Sequence, residues 1–119
     1  MGIVHATVTD PAEAQADFAY AMAPGEQVRF AFKLVRDHIL FTDKRIITVD
    51  VQGITGSKRR YFSVPYRAIT SFTIESAGHF DLDTEISLSV SGSSPIEMEV
   101  SRGADVPGLL ALITEKFSK

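Results

Sequence analysis

Hydrophobic and polar residues alternate along most of the chain, which is the pattern of β-strands that bury one face. The first clear run places Val28, Phe30 and Phe32 on one side and Arg29 and Lys33 on the other. Turn-forming residues, mainly glycine, proline and aspartate, separate the successive runs. The sequence therefore predicts seven short strands, at residues 28–34, 38–42, 45–51, 60–64, 69–76, 85–91 and 96–100.

Two other segments show the 3.6-residue spacing of an amphipathic helix. Residues 10–22 begin with Asp10, which can cap a helix, and Pro11, which needs no hydrogen bond at that position. The second helix begins at Asp105. Its apolar stripe consists of Val106, Leu109, Leu110, Ile113 and Phe117. We therefore predict a mainly β fold (α+β by content): a seven-stranded antiparallel bent barrel capped by a C-terminal helix, with an additional N-terminal helix.

Several segments resemble sequences of the bacterial pleckstrin-homology (PH) domain family. Residues 35–47, VRDHILFTDKRII, are similar to the family's second and third strands. Residues 52–58, QGITGSK, are similar to its glycine turn, and residues 74–81, IESAGHFD, to the end of its fifth strand. The resemblance implies a PH-like barrel at residues 26–119, after an N-terminal segment with a short helix at residues 1–25. It also implies a non-enzymatic module that tends to form ring-like homo-oligomers.

Composition narrows the classes of function. The chain has 119 residues, no cysteine and a net charge of −3, so we expect a cytoplasmic protein with no general attraction to nucleic acid. Residues 1–10 lack the features of a signal peptide, and no apolar run is long enough to span a membrane. Because no nucleophile with a base, cofactor loop or metal-ligand cluster is recognisable, we expect no enzyme, no cofactor and no metal site.

One acidic segment precedes the predicted sixth strand, where Asp81, Asp83 and Glu85 alternate with other residues. Their surroundings do not have the spacing of a calcium-binding EF-hand loop. A solvated loop that discourages pairing at a sheet edge is the simpler interpretation. A weak surface cation site formed with His79 is the alternative.

Cationic residues concentrate near the predicted third and fourth strands: Lys44, Arg45, Lys58, Arg59 and Arg60. If those strands pair, the five residues could gather at one end of the barrel and bind an anionic lipid headgroup or an acidic partner. In the alternative interpretation they are solvated, and Arg45 points inward to pair with Asp37 or Asp50.

The first hairpin bears on the same question, because PH domains that bind inositol phosphates generally place several basic residues on a roomy first hairpin. Here only residues 34–37 link the two strands, and Lys33 and Arg36 are the local cations. Asp37 adds an opposing charge. The sequence therefore argues against specific phosphoinositide binding.

Adjacent apolar residues in the second and third strands point to opposite faces of the sheet. This makes Phe41, Ile46 and Ile47 candidates for an outward-facing oligomer surface, unless the N-terminal helix covers them. Together with the family resemblance, they favour a non-catalytic scaffold or interaction module that self-associates. The alternative is the anion-binding module described above.

Overall fold

The computed structural model describes residues 4–76, 83–101 and 103–118. Their elements in chain order are β1 (His5–Thr9), α1 (Pro11–Asp17), β2 (Val28–Lys33), β3 (His38–Thr42), β4 (Arg45–Gln52), β5 (Lys58–Pro65), β6 (Ile69–Ser76), β7 (Thr84–Val90), β8 (Ile96–Val100) and α2 (Val106–Phe117). The seven predicted strands are confirmed as β2 to β8. The predicted strand count is wrong by one because β1 is short and pairs in parallel with β8, far along the chain, which no local pattern indicates.

The chain forms two compact units, here named the middle unit (Val8–Pro65) and the terminal unit (Met1–Thr7 with Tyr66–Lys119). In the middle unit, β2, β3, β4 and β5 pair in sequence as an antiparallel meander. The loop between β2 and β3 has four residues, and glycines with positive φ angles turn the chain between β4 and β5.

The α1 helix covers one face of this meander. Its Ala14 and the following Phe18 pack in a cluster of buried residues with Leu40 of β3 and Ile47 of β4. The helix predicted over residues 10–22 is shorter than expected: the α-helical part ends at Asp17, and a 3-10 turn follows at Ala19–Ala21. Asp10 caps it as predicted, because its side chain accepts a hydrogen bond from Ala12 N at 2.9 Å.

The predicted oligomer surface is wrong, because Phe41, Ile46 and Ile47 each have 0% exposed surface within a single chain. Ile47 faces α1, so the alternative that the N-terminal helix covers it is the one observed. Phe41 and Ile46 are directly opposite each other in the β3–β4 register, and Phe41 meets Phe32 edge to face at 5.9 Å. These residues stabilise the interior and are not available to a partner.

In the terminal unit, β6, β7 and β8 form an antiparallel meander, and β1 adds to β8 in parallel. The α2 helix begins at Asp105, which accepts a hydrogen bond from Gly108 N at 3.0 Å. Its buried side chains are Leu109, Leu112 and Ile113. Leu110, which the sequence placed in the apolar stripe, is only half-buried, and Leu112 is buried in its place. The buried face of α2 is therefore rotated slightly about the helix axis from the predicted one.

A buried ion pair between Glu26 and Arg45 connects α1 and the loop that follows it to the meander. Arg45 donates from Nη2 to Glu26 Oε1 at 2.8 Å and from Nε to Oε2 at 2.9 Å. The same carboxylate accepts hydrogen bonds from Thr42 Oγ1 at 2.6 Å and from Ala23 N at 3.0 Å. The Glu26 side chain has no exposed surface, so these four hydrogen bonds replace the water that burial removes.

Arg45 connects this carboxylate to two further parts of the middle unit. It donates from Nη2 to Ala21 O at 2.6 Å, in the 3-10 turn, and from Nη1 to Ser63 Oγ of β5 at 2.6 Å. Gln15 of α1 donates to Glu26 O at 2.8 Å. The helix, the loop and two strands therefore share one hydrogen-bonded network.

The hydrogen bonds from Arg45 lower the pKa of Glu26 from its ordinary value of 4.5 to about 2, against an opposing effect of burial; Thr42 and Ala23 lower it further. When folding lowers the pKa of a carboxyl group, that group stabilises the folded state at pH values above the pKa it has in the unfolded chain. Its contribution is then lost as the pH falls through the folded value. The relevant window therefore extends from about pH 4.5 down to about pH 2.

Glu26→Gln should lower the free energy of unfolding by about 3 kcal/mol at neutral pH, because it removes the charge and leaves Arg45 without its partner. Urea denaturation measures this difference. The difference should shrink as the pH falls from 4.5 towards 2, where the native carboxylate becomes neutral. Glu115→Gln, on the exposed side of α2, is the control and should change stability by less than about 0.5 kcal/mol. A Glu26→Gln deficit that stays constant with pH would contradict this account.

Candidate functional site

The predicted cluster of five cations is not a single patch. The β4–β5 ladder begins with Arg45 opposite Pro65 and ends with Gln52 opposite Lys58. At the usual rise of a strand, these two ends are about 23 Å apart. The two strands pair as expected, but their antiparallel direction separates Lys44 and Arg45 from Lys58, Arg59 and Arg60.

Arg45 points inward, as the alternative interpretation of the sequence proposed, but its partner differs. It binds Glu26 and neither Asp37 nor Asp50. Asp37 instead accepts a hydrogen bond from Val51 N at 2.9 Å, which joins the first hairpin loop to the end of β4. Arg45 is therefore part of the folded framework and cannot serve as a free anion-binding residue.

A different group of cations lies together at the end of the meander where the β2–β3 and β4–β5 loops meet. These loops border an open cleft with a volume of about 390 Å³. Its lining includes Lys33, Arg36, His38 and Arg59, and every ionisable side chain that lines it is basic. We name this feature the basic cleft.

Phe18, which follows α1, supports two of the basic side chains. The guanidinium of Arg59 lies over the Phe18 ring, 5.2 Å from its centroid, and donates to Asp17 O at 3.5 Å. The His38 ring meets Phe18 edge to face, with 4.8 Å between centroids. The position of α1 therefore determines where Arg59 and His38 are held.

Arg36 joins the two loops of the basic cleft. It donates from Nη2 to Gly53 O at 2.5 Å. Gly56 lies beside it with φ +72°, and a Cβ there would lie 3.3 Å from Val51 Cγ1 and 3.5 Å from Arg36 Nη2. Glycine is favoured at this position by its left-handed backbone and by the tight approach to Val51.

The pKa of His38 is lowered from its ordinary value of 6.5 by burial first and then by the positive charges of Lys33 and Arg59; Asp37 and Asp17 oppose this shift. Lys33 and Arg59 thus disfavour a third positive charge nearby. Binding of an anion in the basic cleft would relieve that repulsion.

Two exposed apolar side chains stand at the rim of the basic cleft. Val35, in the β2–β3 loop, is 87% exposed, and Ile54, in the β4–β5 loop, is fully exposed. Lys33 and Arg36 were recognisable in the sequence as cations of the first hairpin, but His38, Val35 and Ile54 were not recognisable as site residues. The signal that could have found them is the antiparallel register, which places both loops and Arg59 at one end of the meander.

Comparison with known proteins identifies the class of domain. Residues 2–117 match the bacterial PH domain family, and the chain therefore belongs to that family. This confirms the resemblance of the strand and turn segments and the predicted PH-like, mainly β fold with its C-terminal helix.

The chain is similar to an uncharacterized bacterial protein and to crystal structures of pleckstrin-homology domains. The chain is 49% identical over 89 residues to the uncharacterized protein YjqA of Bacillus subtilis (strain 168), covering 75% of this chain and 71% of that protein. The chain is 39% identical to a DUF1696 family protein with a pleckstrin-homology domain from Shewanella loihica PV-4, whose crystal structure is known. The two structures align with a TM-score of 0.78, over 96% of this chain and 98% of that protein chain. The chain is also 40% identical to a pleckstrin homology domain from Shewanella amazonensis SB2B. That alignment has a TM-score of 0.65 and covers 92% of this chain and 89% of the other.

Among the residues that the structure describes, no helix has the length and hydropathy needed to cross a bilayer.

Proposed function

We propose that this PH domain is a non-catalytic binding module that recognises an anionic lipid headgroup at a membrane surface through the basic cleft. The observation that carries the proposal is the combination of basic side chains inside the cleft with two exposed apolar side chains on its rim. The basic side chains can bind the phosphate of a lipid headgroup, and the apolar side chains can insert into the hydrocarbon region of the membrane beneath it.

The charges of the basic cleft support an anionic ligand. Lys33 at the end of β2, Arg36 in the loop that follows it and Arg59 of β5 all line the cleft. Arg36 uses one N–H group on Gly53 and keeps further donors for a ligand. Guanidinium groups bind phosphate oxygens through paired hydrogen bonds, and the Lys33 ammonium adds a mobile charge.

The loop that borders the cleft also limits its selectivity. Only four residues link β2 to β3, so few donors can converge on several phosphates of one headgroup. This supports the sequence-based expectation that specific phosphoinositide recognition is absent. Binding would depend on the charge of the membrane surface rather than on the stereochemistry of one lipid.

Val35 and Ile54 favour a membrane over a soluble acidic partner. Each exposes an apolar side chain at the tip of its loop, where neither packs into the core. Full burial of such a side chain contributes roughly 1.5–3 kcal/mol. Insertion of both tips would add an apolar contribution to headgroup binding, and the two tips stand beside the cations that would hold the headgroup.

Vesicle co-sedimentation tests the proposal. The protein should bind vesicles of phosphatidylcholine with phosphatidylglycerol, bind vesicles of phosphatidylcholine alone far less, and dissociate as salt rises. Lys33→Gln combined with Arg59→Gln should weaken binding roughly thirtyfold, at about 1 kcal/mol for each charge removed. Arg29→Gln combined with Lys44→Gln removes the same charge at the opposite end of the meander and should change binding little.

Two outcomes would contradict this function. Equal losses in the two double variants would show that net charge, and not the basic cleft, controls binding. Val35→Ser combined with Ile54→Ser should also weaken vesicle binding, because it removes the apolar tips. Unchanged vesicle binding in that variant would instead favour a soluble acidic partner for the cleft.

A second candidate function is self-association, and the edge of the middle unit favours it. Among the described residues, β5 hydrogen-bonds to a strand on one side only, β4. It is eight residues long and carries Phe62 on its exposed surface. An unpaired edge of this length can accept a strand from a second copy of the chain.

Light scattering coupled to size exclusion tests this candidate. We expect a mass above the 13.0 kDa of one chain, and Phe62→Asp should reduce it, since the substitution places a charge on the exposed part of the edge strand. Val35→Asp, on the rim of the basic cleft, should leave the mass unchanged. A mass of one chain at every protein concentration would exclude self-association.

A further inference from the structure

Three metal-ligating side chains of the terminal unit converge on the outer face of its sheet. They are His5 of β1, Asp83 directly before β7, and Glu99 of β8. His5 Nδ1 lies 3.5 Å from Glu99 Oε1 and 3.9 Å from Asp83 Oδ2. All three ligand atoms lie within 4.8 Å of one another. One imidazole nitrogen and two carboxylate oxygens therefore face a common point.

Strand register explains why these groups meet. His5 is the direct partner of Glu99 in the parallel β1–β8 pair. Glu99 is opposite Glu85 of β7, and Glu85 is opposite Glu75 of β6. Residues that are directly opposite in a sheet project to the same face. One histidine and three glutamates therefore form a row across four strands.

This row places like charges side by side. Directly opposed carboxylates destabilise a sheet unless a positive charge lies between or beside them. Among the described residues, His5 is the basic side chain beside Asp83 and Glu99 and carries a charge only when protonated, and no lysine or arginine lies within ion-pair distance of either carboxylate. A bound cation would supply the missing positive charge.

The histidine ring is oriented for ligation. Its other nitrogen, Nε2, lies 3.4 Å from Ser101 Oγ. Metal-bound histidines are commonly held in this way, with one ring nitrogen on the metal and the other in a hydrogen bond. Nε2 is thus within reach of Ser101 Oγ while Nδ1 is directed towards the two carboxylates.

We propose that His5, Asp83 and Glu99 form a binding site for a divalent transition-metal cation, with Zn²⁺ the preferred ion. Imidazole with carboxylates suits Zn²⁺ better than Mg²⁺. Ligands at the usual Zn–N and Zn–O distances of about 2.0–2.2 Å lie roughly 3.4 Å apart in a tetrahedron. The His5–Glu99 separation already fits, and the half-exposed Asp83 has room to move closer.

The bound ion would join β1 to β7 and β8 through side chains, in addition to the backbone pairing of β1 with β8. The alternative cation site suggested by the sequence is different. His79 and Asp81 lie outside the described residues, and Asp83 is directed towards His5 and Glu99. The two sites therefore predict different roles for the two histidines.

Isothermal titration of the full chain with zinc chloride tests the proposal. One Zn²⁺ should bind per chain, and Mg²⁺ at the same concentration should not compete. His5→Gln and Glu99→Gln should each weaken Zn²⁺ binding at least about tenfold. His79→Gln and Glu115→Gln remove a histidine and a carboxylate outside the proposed set of ligands and should leave the affinity unchanged.

Circular dichroism of each variant shows whether it is folded, and Asp83→Asn provides a third ligand variant outside the strands. Absence of Zn²⁺ binding by the native chain would overturn the proposal. Loss of binding in His79→Gln with retention in His5→Gln would also overturn it, because the ion would then be held by other groups.

Discussion

The ion pair between Glu26 and Arg45 is the interaction on which the middle unit depends. A carboxylate without exposed surface is tolerated because Arg45, Thr42 and Ala23 donate four hydrogen bonds to it. Its position matters more than its strength. The pair joins the loop after α1 to the turn between β3 and β4, and so determines where α1 lies on the meander. Without this connection, a seven-residue helix rich in alanine would contribute little apolar surface of its own.

The basic cleft follows from that placement. With α1 held on the sheet, Phe18 lies against His38 and beneath Arg59. Arg59 of β5 is thereby kept near Lys33 at the end of β2 and Arg36 in the loop that follows it. The structural core and the proposed site are connected in this way: a network at one end of the meander positions a helix whose far end supports the cations. Arg45, which the sequence suggested as a ligand-binding residue, belongs to the network and not to the cleft.

Local patterns predicted β2 to β8 and both helices because each of these elements carries its own alternation or helical spacing. They could not predict β1, whose identity as a strand comes from parallel pairing with β8. They also could not separate Lys44 from Arg59, since that requires the direction and register of β4 and β5. The sequence pointed to Asp83 but could not group it with His5 and Glu99, because His5 is far along the chain from both. Contacts between distant segments were thus the missing information in each case.

The central claim is that an anion enters the basic cleft beside His38. Proton NMR titration of the His38 ring in sulfate, compared with chloride at equal ionic strength, tests it most directly because sulfate stays doubly charged throughout. Burial first, and then the charges of Lys33 and Arg59, lower the pKa of His38 in the free protein, and a bound anion should raise it by offsetting those charges. The account predicts this rise in the native chain and its loss in the variant that combines Lys33→Gln with Arg59→Gln. An unchanged pKa of His38 at high sulfate concentration would contradict the account.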